Sequence, residues 1–325
     1  MGLLADYRAS LKPLDVEEPV DVFVHRPVGY VIARLALRTP VTPNQITVAS
    51  MVLGLGAGVA MAARFPHHEV VAGAGLLISA SLDCADGMLA RMRRSFSEIG
   101  RMLDGVADLV SLVFALTGGI WFMCLRWASE PRWLAVILLG SAITLQSSRV
   151  HTMAYDHYKN LFLRLTVPGS KDGDDVRALR EGFDRARAAA PIGLVKRVAY
   201  AVYFDYLEAG RRFFRRYDPD TTIHYDALPP YSPENAAIVR RHCLRPMKLQ
   251  GALFGVGSLM FGLEVSYALG LPEAYLVFRL VVLNAIFWLV LRPMQRRASR
   301  EALREIGFDP TAAASAAPTA LGGPS

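Results

Sequence analysis

The chain has 325 residues, 53% of them hydrophobic, a mean hydropathy of +0.28 and a formal charge of +7. Its apolar residues lie in long blocks, which excludes a purely soluble multidomain protein and points to one integral membrane domain with soluble segments. Its cysteines, Cys84, Cys124 and Cys243, have neither C-x-x-C nor metal-site spacing, so they imply no disulfide framework and read as packing residues.

The N-terminal stretch MGLLADYRASLKPLD is charged from its sixth residue and has no apolar core, so a cytoplasmic start is expected rather than a cleaved secretory signal. Residues 19–38 mix Val, Phe, Leu and Tyr with Arg26, Arg34 and Arg38. They are too charged to span a bilayer and suit an amphipathic helix lying at its interface. Thr42-Pro43-Asn44-Gln45 then forms a capping box with Pro43 at the first helical position. Six apolar blocks follow, at about 45–64, 70–90, 103–125, 132–153, 249–271 and 274–291. Each is long enough, at roughly 20 residues, to cross a hydrocarbon core as a helix.

Gly54, Gly56 and Gly58 in the first block read as close helix-packing positions. Ser95-Phe96-Ser97-Glu98 offers a second capping box, so the second and third helices are joined by a tight turn near 92–95. Trp121, Trp127 and Trp133 suit an interfacial aromatic belt. Residues 154–243 are polar, with one helix expected near 173–190 and a basic-aromatic one over 192–216. The closing TAAASAAPTALGGPS has nothing large to bury and is expected to be disordered.

The fold class is therefore an all-α integral membrane protein with six transmembrane helices, an interfacial N-terminal helix and a helical cytosolic insertion. Its segments are 1–40 (N-terminus and interfacial helix), 41–153 (helices 1–4), 154–248 (insertion), 249–292 (helices 5–6) and 293–325 (a cytosolic, largely disordered tail). With the N-terminus inside, the cytoplasmic side receives Arg91, Arg93, Arg94, Arg101 and Arg292 through Arg304, and the short outer loops receive only Arg64, Arg126 and Arg132. This positive-inside asymmetry accounts for most of the net charge without nucleic acid and places both termini on the cytoplasmic side of a cell (inner) membrane.

The stretch 83–108, DCADGMLARMRRSFSEIGRMLDGVAD, carries four aspartates among these apolar blocks. Helical spacing puts Asp83, Asp86, Gly87 and Ala90 on one stripe of the second helix and Gly100, Asp104 and Asp108 on one stripe of the third. A tight turn makes the two helices antiparallel neighbours, so four carboxylates and a small-residue surface face one another. An ionised Asp in a bilayer helix costs on the order of 2.5–3.5 kcal/mol on insertion scales. One or two acids could be protonated or pair with Arg91 or Arg101, but four on facing stripes repel unless cations neutralise them. Oxygen-only sites suit hard divalent ions such as Mg2+, Mn2+ or Ca2+, and the Gly/Ala floor leaves room for a phosphorylated ligand that Arg91 could contact. A carboxylate-lined divalent-cation transporter or channel is the alternative, although its path would need polar residues through the full bilayer thickness, whereas these acids gather at one end.

The pattern Asp83-x2-Asp86-Gly87-x2-Ala90-Arg91-x8-Gly100-x3-Asp104-x3-Asp108 resembles, at every position, the signature of the CDP-alcohol phosphatidyltransferase family. The likeness covers about residues 40–155 and 245–292 and leaves the insertion outside it. It implies transfer of a phosphatidyl or other substituted phosphate group from a CDP-linked donor, usually CDP-diacylglycerol, to an alcohol acceptor with release of CMP. Carried over, it implies that Asp83, Asp86, Asp104 and Asp108 serve two Mg2+ or Mn2+ ions, with Asp108 as the base for the attacking hydroxyl. Gly87, Ala90, Arg91 and Gly100 would meet the CDP moiety, membrane lipids would surround the site, and a homodimer is expected.

Outside the motif, Arg149 and Arg279 are candidates for an acceptor or lipid phosphate. Arg149 equally suits a snorkelling helix end, and Arg279 needs either a ligand or a partner such as Glu264. His151 and His157 lack metal-like partners and read as ordinary buried residues.

Overall fold

The computed structural model describes residues 7–8, 13–63, 65–95, 98–170, 181, 183–184, 193–221 and 228–308, and every regular element among them is helical. A π-helical turn, Asp21–His25, leads into α1 (Arg26–Ala36). Then come α2 (Pro43–Ala63), α3 (His68–Arg93), α4 (Glu98–Arg126), α5 (Pro131–Thr166), α6 (Leu194–Tyr217), α7 (Pro233–Phe254), α8 (Val256–Ala268), α9 (Pro272–Val277) and α10 (Arg292–Glu305). Two π-helical runs, Phe278–Leu283 and Ile286–Leu291, connect α9 to α10. Six stretches are long and apolar enough to cross a membrane: Pro43–Ala63, His68–Arg93, Leu103–Arg126, Pro131–Thr166, Pro233–Ala268 and Pro272–Glu305.

Local chemistry starts the first span as its sequence dictates. The Gln45 N–H donates to Thr42 Oγ1 (3.3 Å) and the Thr42 N–H donates to Gln45 Oε1 (2.9 Å), closing the capping box around Pro43. The end of α3 is also built locally. Arg94 takes the left-handed conformation (φ 53°), and the Ser95 N–H donates to the Ala90 carbonyl while the Arg94 N–H donates to that of Arg91, a Schellman stop. Positions 96 and 97 of the second capping box lie outside the described residues, although α4 does begin at Glu98. The helix expected near 173–190 falls almost wholly outside them, as does the tail from 309 onward.

Several helices run further than their apolar blocks. α5 continues past residue 153 to Thr166, α7 begins at Pro233, well before 249, and α10 occupies the start of the segment expected to be a disordered tail. The apolar run measures what a bilayer can cover, whereas polar residues prolong a helix wherever one stripe stays buried. In α10 that stripe is Ala298, Ala302 and Leu303, and Arg297 pairs with Glu301 at 2.8 Å one turn along.

The chain divides into two compact units. The first comprises residues 1–155 and 248–288. Its core is Met61, Ala72, Leu76, Ala115, Phe122, Leu263 and Tyr267, with a second cluster of Tyr30, Ala33, Ile46, Ala85, Met88 and Leu89 where α1 packs on α3. Glycine sets the helix spacing: a Cβ at Gly58 would run into the Phe114 carbonyl, and one at Gly54 would stand 2.6 Å from Ser111 Cβ, while one at Gly56 would meet open space. Two of the three glycines are therefore packing positions.

The N-terminal segment is tied into this unit by charge. The fifth span breaks at Gly255, and Glu18 accepts a hydrogen bond from the freed Ser258 N–H at 3.2 Å. His25, 1% exposed, lies 2.9 Å from Asp21 Oδ1 and 3.1 Å and 3.2 Å from the two Glu264 carboxylate oxygens. Arg26 pairs with Glu17 at 3.0 Å. Phe23, Val28, Val31 and Leu35 remain exposed around the same segment.

The second unit comprises residues 156–247 and 289–325. Its buried polar centre is Asp218, which accepts a hydrogen bond from the Tyr158 hydroxyl at 2.7 Å. Asp220 pairs with Arg300 at 2.7 Å, and Arg292 lies 4.9 Å over the Tyr217 ring. The described part of the expected basic-aromatic helix is α6.

Two predictions follow from these contacts. Gly58→Ala should destabilise the protein by about 1–3 kcal/mol through backbone overlap, whereas Gly56→Ala should be neutral or stabilise it by about 0.5–1 kcal/mol, as read by thermal unfolding in detergent. Burial opposes the charge on His25, but its bonds to Asp21 and Glu264 outweigh burial and raise its pKa from 6.5 to about 9. Because the folded value lies above the unfolded one, this contribution is complete below pH 6.5 and is lost as pH rises through about 9. The Tm gap between wild type and His25→Gln should therefore narrow as the pH is raised through that window.

Candidate metal and catalytic site

Asp83 lies near the C-terminal end of α3, and Asp104 and Asp108 lie one turn apart near the start of α4. Each offers a carboxylate oxygen, and the three oxygens lie within 4.8 Å of one another. Asp83 and Asp104 are half-buried and Asp108 is exposed. Asp83 and Asp108 are close enough to hydrogen-bond to each other. Two carboxylates do this only by sharing a proton, which a cation can replace. The donor set is oxygen-only, carries like charge and converges from two helices, so it fits a hard divalent ion.

Asp86 is not one of the three whose oxygens lie within 4.8 Å, but it stays in electrostatic range of Asp83, Asp104 and Asp108. It is 6% exposed and accepts a short hydrogen bond from Thr47 Oγ1 of α2. Thr47 was not singled out in the sequence. The available signal was a buried hydroxyl one turn inside the capping box, but its partner is 39 positions away. Only the packing of α2 on α3 brings them together.

The rest of the stripe is arranged around Arg91. Its guanidinium folds back over Gly87, where a Cβ would sit 3.6 Å from Nη1 and 3.9 Å from Nη2. Arg91 also lies in electrostatic range of Arg26, Glu17 and Asp86. Ala90 and Gly100 are half-buried, and a Cβ at Gly105 would meet open space. The small-residue floor is thus Gly87 and Ala90, with Arg91 above it.

Two braces hold α3 in place. Arg93 donates to the carbonyls of Val41 (2.5 Å), Ala36 (2.7 Å) and Thr39 (2.8 Å), strapping the end of α3 to the α1–α2 connection. Gly29 of α1 lies against α3, where a Cβ would stand 2.8 Å from the Ser81 carbonyl oxygen. Arg93 was read as one more cytoplasmic charge, but here its Nη1 and Nη2 donate to backbone carbonyls.

The two outlying arginines differ. Arg149 is exposed. Arg279 is 6% exposed and donates from Nε and Nη2 to Ser148 Oγ (3.2 Å and 2.9 Å) and from Nη1 to the Tyr275 hydroxyl (3.0 Å). Glu264, the partner considered for it alongside a ligand, pairs with His25, and Arg279 lies in the π-helical run Phe278–Leu283.

Residues 40–162 match the sequence profile of CDP-alcohol phosphatidyltransferase. The chain is 31% identical over 139 residues to the bifunctional IPC transferase and DIPP synthase of Thermococcus kodakarensis, covering 41% of this chain and 30% of that protein. It is 32% identical over 96 residues to phosphatidylinositol phosphate synthase of Corynebacterium glutamicum (30% of this chain, 40% of that one). It is also 31% identical over 114 residues to cholinephosphotransferase 1 of Gallus gallus (33% of each). The chain thus spans well under two-thirds of the length of the curated relatives it matches. The matched segment contains all four aspartates of the converging helix ends, and over it the chain is similar to the CDP-alcohol phosphatidyltransferase family.

Proposed function

We propose that this protein transfers a phosphatidyl or related substituted phosphate group from a CDP-linked lipid to an alcohol, releasing CMP, in phospholipid biosynthesis. The observation that carries the reading is the convergence of Asp83, Asp104 and Asp108 within 4.8 Å, at the end of two membrane-long helices and inside the family match. The relatives are named for products or substrates as different as phosphatidylinositol phosphate and choline phosphate, so the reaction class is supported more firmly than any acceptor.

Asp83, Asp104 and Asp108 would hold the divalent cation, Mg2+ or Mn2+, and a second ion would draw on Asp86 as well. When bound, the metal supplies neutralisation of the carboxylates and of the diphosphate charge. The chain's own groups do the rest. Gly87 and Ala90 leave space for the nucleotide to approach the backbone, and Arg91 supplies a charged donor beside them. Thr47 keeps the Asp86 carboxylate turned toward α2 and fixed in direction.

Asp108, the exposed member of the cluster, is the base. It takes the proton of the acceptor hydroxyl as that oxygen bonds to the β-phosphorus, and the bond from that phosphorus to the CMP oxygen breaks. Gly100 opens the facing helix to the same ligand. Arg149 is the exposed candidate for an acceptor or lipid phosphate, and Arg279 would have to leave Ser148 and Tyr275 to play that part. The site faces the cytoplasm of a cell membrane, and a homodimer with one site per subunit is the assembly that accompanies this reading.

The test is direct. Purified protein incubated with CDP-diacylglycerol, Mg2+ and a panel of alcohols should release CMP only when metal is present, with the lipid product identified by mass. Asp108→Asn should reduce turnover by roughly 10²–10⁴-fold while leaving CDP-lipid binding largely intact. Ion flux through reconstituted protein with no CMP release would favour the transporter alternative, and full activity in Asp108→Asn would remove that residue as the base.

A further inference from the structure

The last two turns of α6 carry Arg212, Arg215 and Arg216, which share one helix face at i, i+3 and i+4 and are all exposed. Phe214 and Tyr217, on the other side of the same turns, are buried. None of the three arginines has an ion pair or a side-chain hydrogen bond among the described residues. Three other arginines of the second unit are matched by acids: Arg241 pairs with Glu305, Arg297 with Glu301 at 2.8 Å and Arg300 with Asp220 at 2.7 Å. Like charges one turn apart on a helix repel, so the end of α6 is a patch that an anion outside the chain would stabilise.

The position of the patch says which anion. α5 runs from Pro131 to Thr166, while its apolar block ends near residue 153. His157 and Tyr158 follow that end within about 6–8 Å along the helix, at a rise of roughly 1.5 Å per residue. Phe214 is clamped to this turn of α5: the His157 ring stacks on it at 4.0 Å and the Tyr158 ring meets it edge-on at 6.0 Å. The Tyr158 hydroxyl adds its bond to Asp218 at 2.7 Å, just past the end of α6. The polar layer on each side of a bilayer is roughly 5–8 Å deep, so the arginines that flank Phe214 are held at headgroup level. Exposed guanidinium groups spread over two helical turns, rather than gathered in a pocket, suit a sheet of lipid phosphates.

We propose that Arg212, Arg215 and Arg216 form a docking surface for the anionic phospholipid headgroups of the bilayer that α5 crosses, tethering α6 to the membrane. Each basic residue near such a surface adds about fivefold to binding, and the attraction fades within a Debye length. Docking needs only a span and a charged surface, so it stands apart from the catalytic reading.

The test follows amide hydrogen exchange in the full chain, held in nanodiscs of phosphatidylcholine alone or of an equal mixture with phosphatidylglycerol. Peptides covering 205–217 should exchange at least about fivefold more slowly in the mixed discs, the factor that one such charge supplies. Peptides of α10, whose Arg297 and Arg300 are paired, should exchange alike in both. The slowing should vanish when Arg212→Gln, Arg215→Gln and Arg216→Gln are combined, and persist when Arg212→Lys, Arg215→Lys and Arg216→Lys keep the charge. If the Gln variant does not fold, wild type carries the test, because about 1 M NaCl should abolish the slowing. Equal exchange in the two discs, slowing that survives the Gln substitutions or the salt, or equal slowing of α10 would each overturn the proposal. So would the same protection by inorganic phosphate or by a single-stranded oligonucleotide in phosphatidylcholine discs, which would make the patch a site for a soluble anion or for nucleic acid.

Discussion

Carboxylates brought within a few ångströms of one another repel, and the repulsion grows as water is withdrawn. Asp83, Asp104 and Asp108 are held in this way at the meeting of α3 and α4, and the surrounding structure works against their separation. Glycine contacts let the spans approach closely, as at Gly58 against Phe114 and Gly73 against Glu264. Arg93 straps the end of α3 to three carbonyls, and α1 lies against α3 where Gly29 has no side chain. A site with so much like charge is stable only on a frame that does not yield, or with a cation in place.

Asp86 shows how the frame reaches the chemistry. Thr47, one turn beyond the capping box, donates to it, so the start of α2 and the end of α3 are joined by a single short hydrogen bond. The N-terminal segment extends the same logic. Glu18 caps the break in the fifth span, His25 bridges Asp21 and Glu264, and α1 then continues onto α3. Glu17, Glu18, Asp21, His25 and Arg26, which look scattered in the sequence, are partnered within the first unit.

Local features were legible in the sequence, and long-range ones less so. The capping box formed as expected because all its partners lie within four residues, and six membrane-long helices followed from apolar length. The convergence of three aspartates was readable because helical period and a tight turn decide it. The hydrogen bond from Thr47 to Asp86 was not, since it depends on how two helices pack. Helix ends were misjudged at Thr166, Pro233 and Glu305, because hydropathy marks the membrane and not the helix. Arg279, for which a ligand or a partner such as Glu264 was expected, bonds to Ser148 and Tyr275, and only the packing of two spans sets the contact with Ser148.

The central claim is that Asp83, Asp104 and Asp108 together hold a divalent cation. Mn2+ binding followed by electron paramagnetic resonance on the purified protein tests it without any assumption about substrate. The account predicts saturable binding that Mg2+ displaces, weakened at least about tenfold in Asp104→Asn and unchanged in Glu264→Gln. Equal Mn2+ affinity in wild type and Asp104→Asn would contradict it.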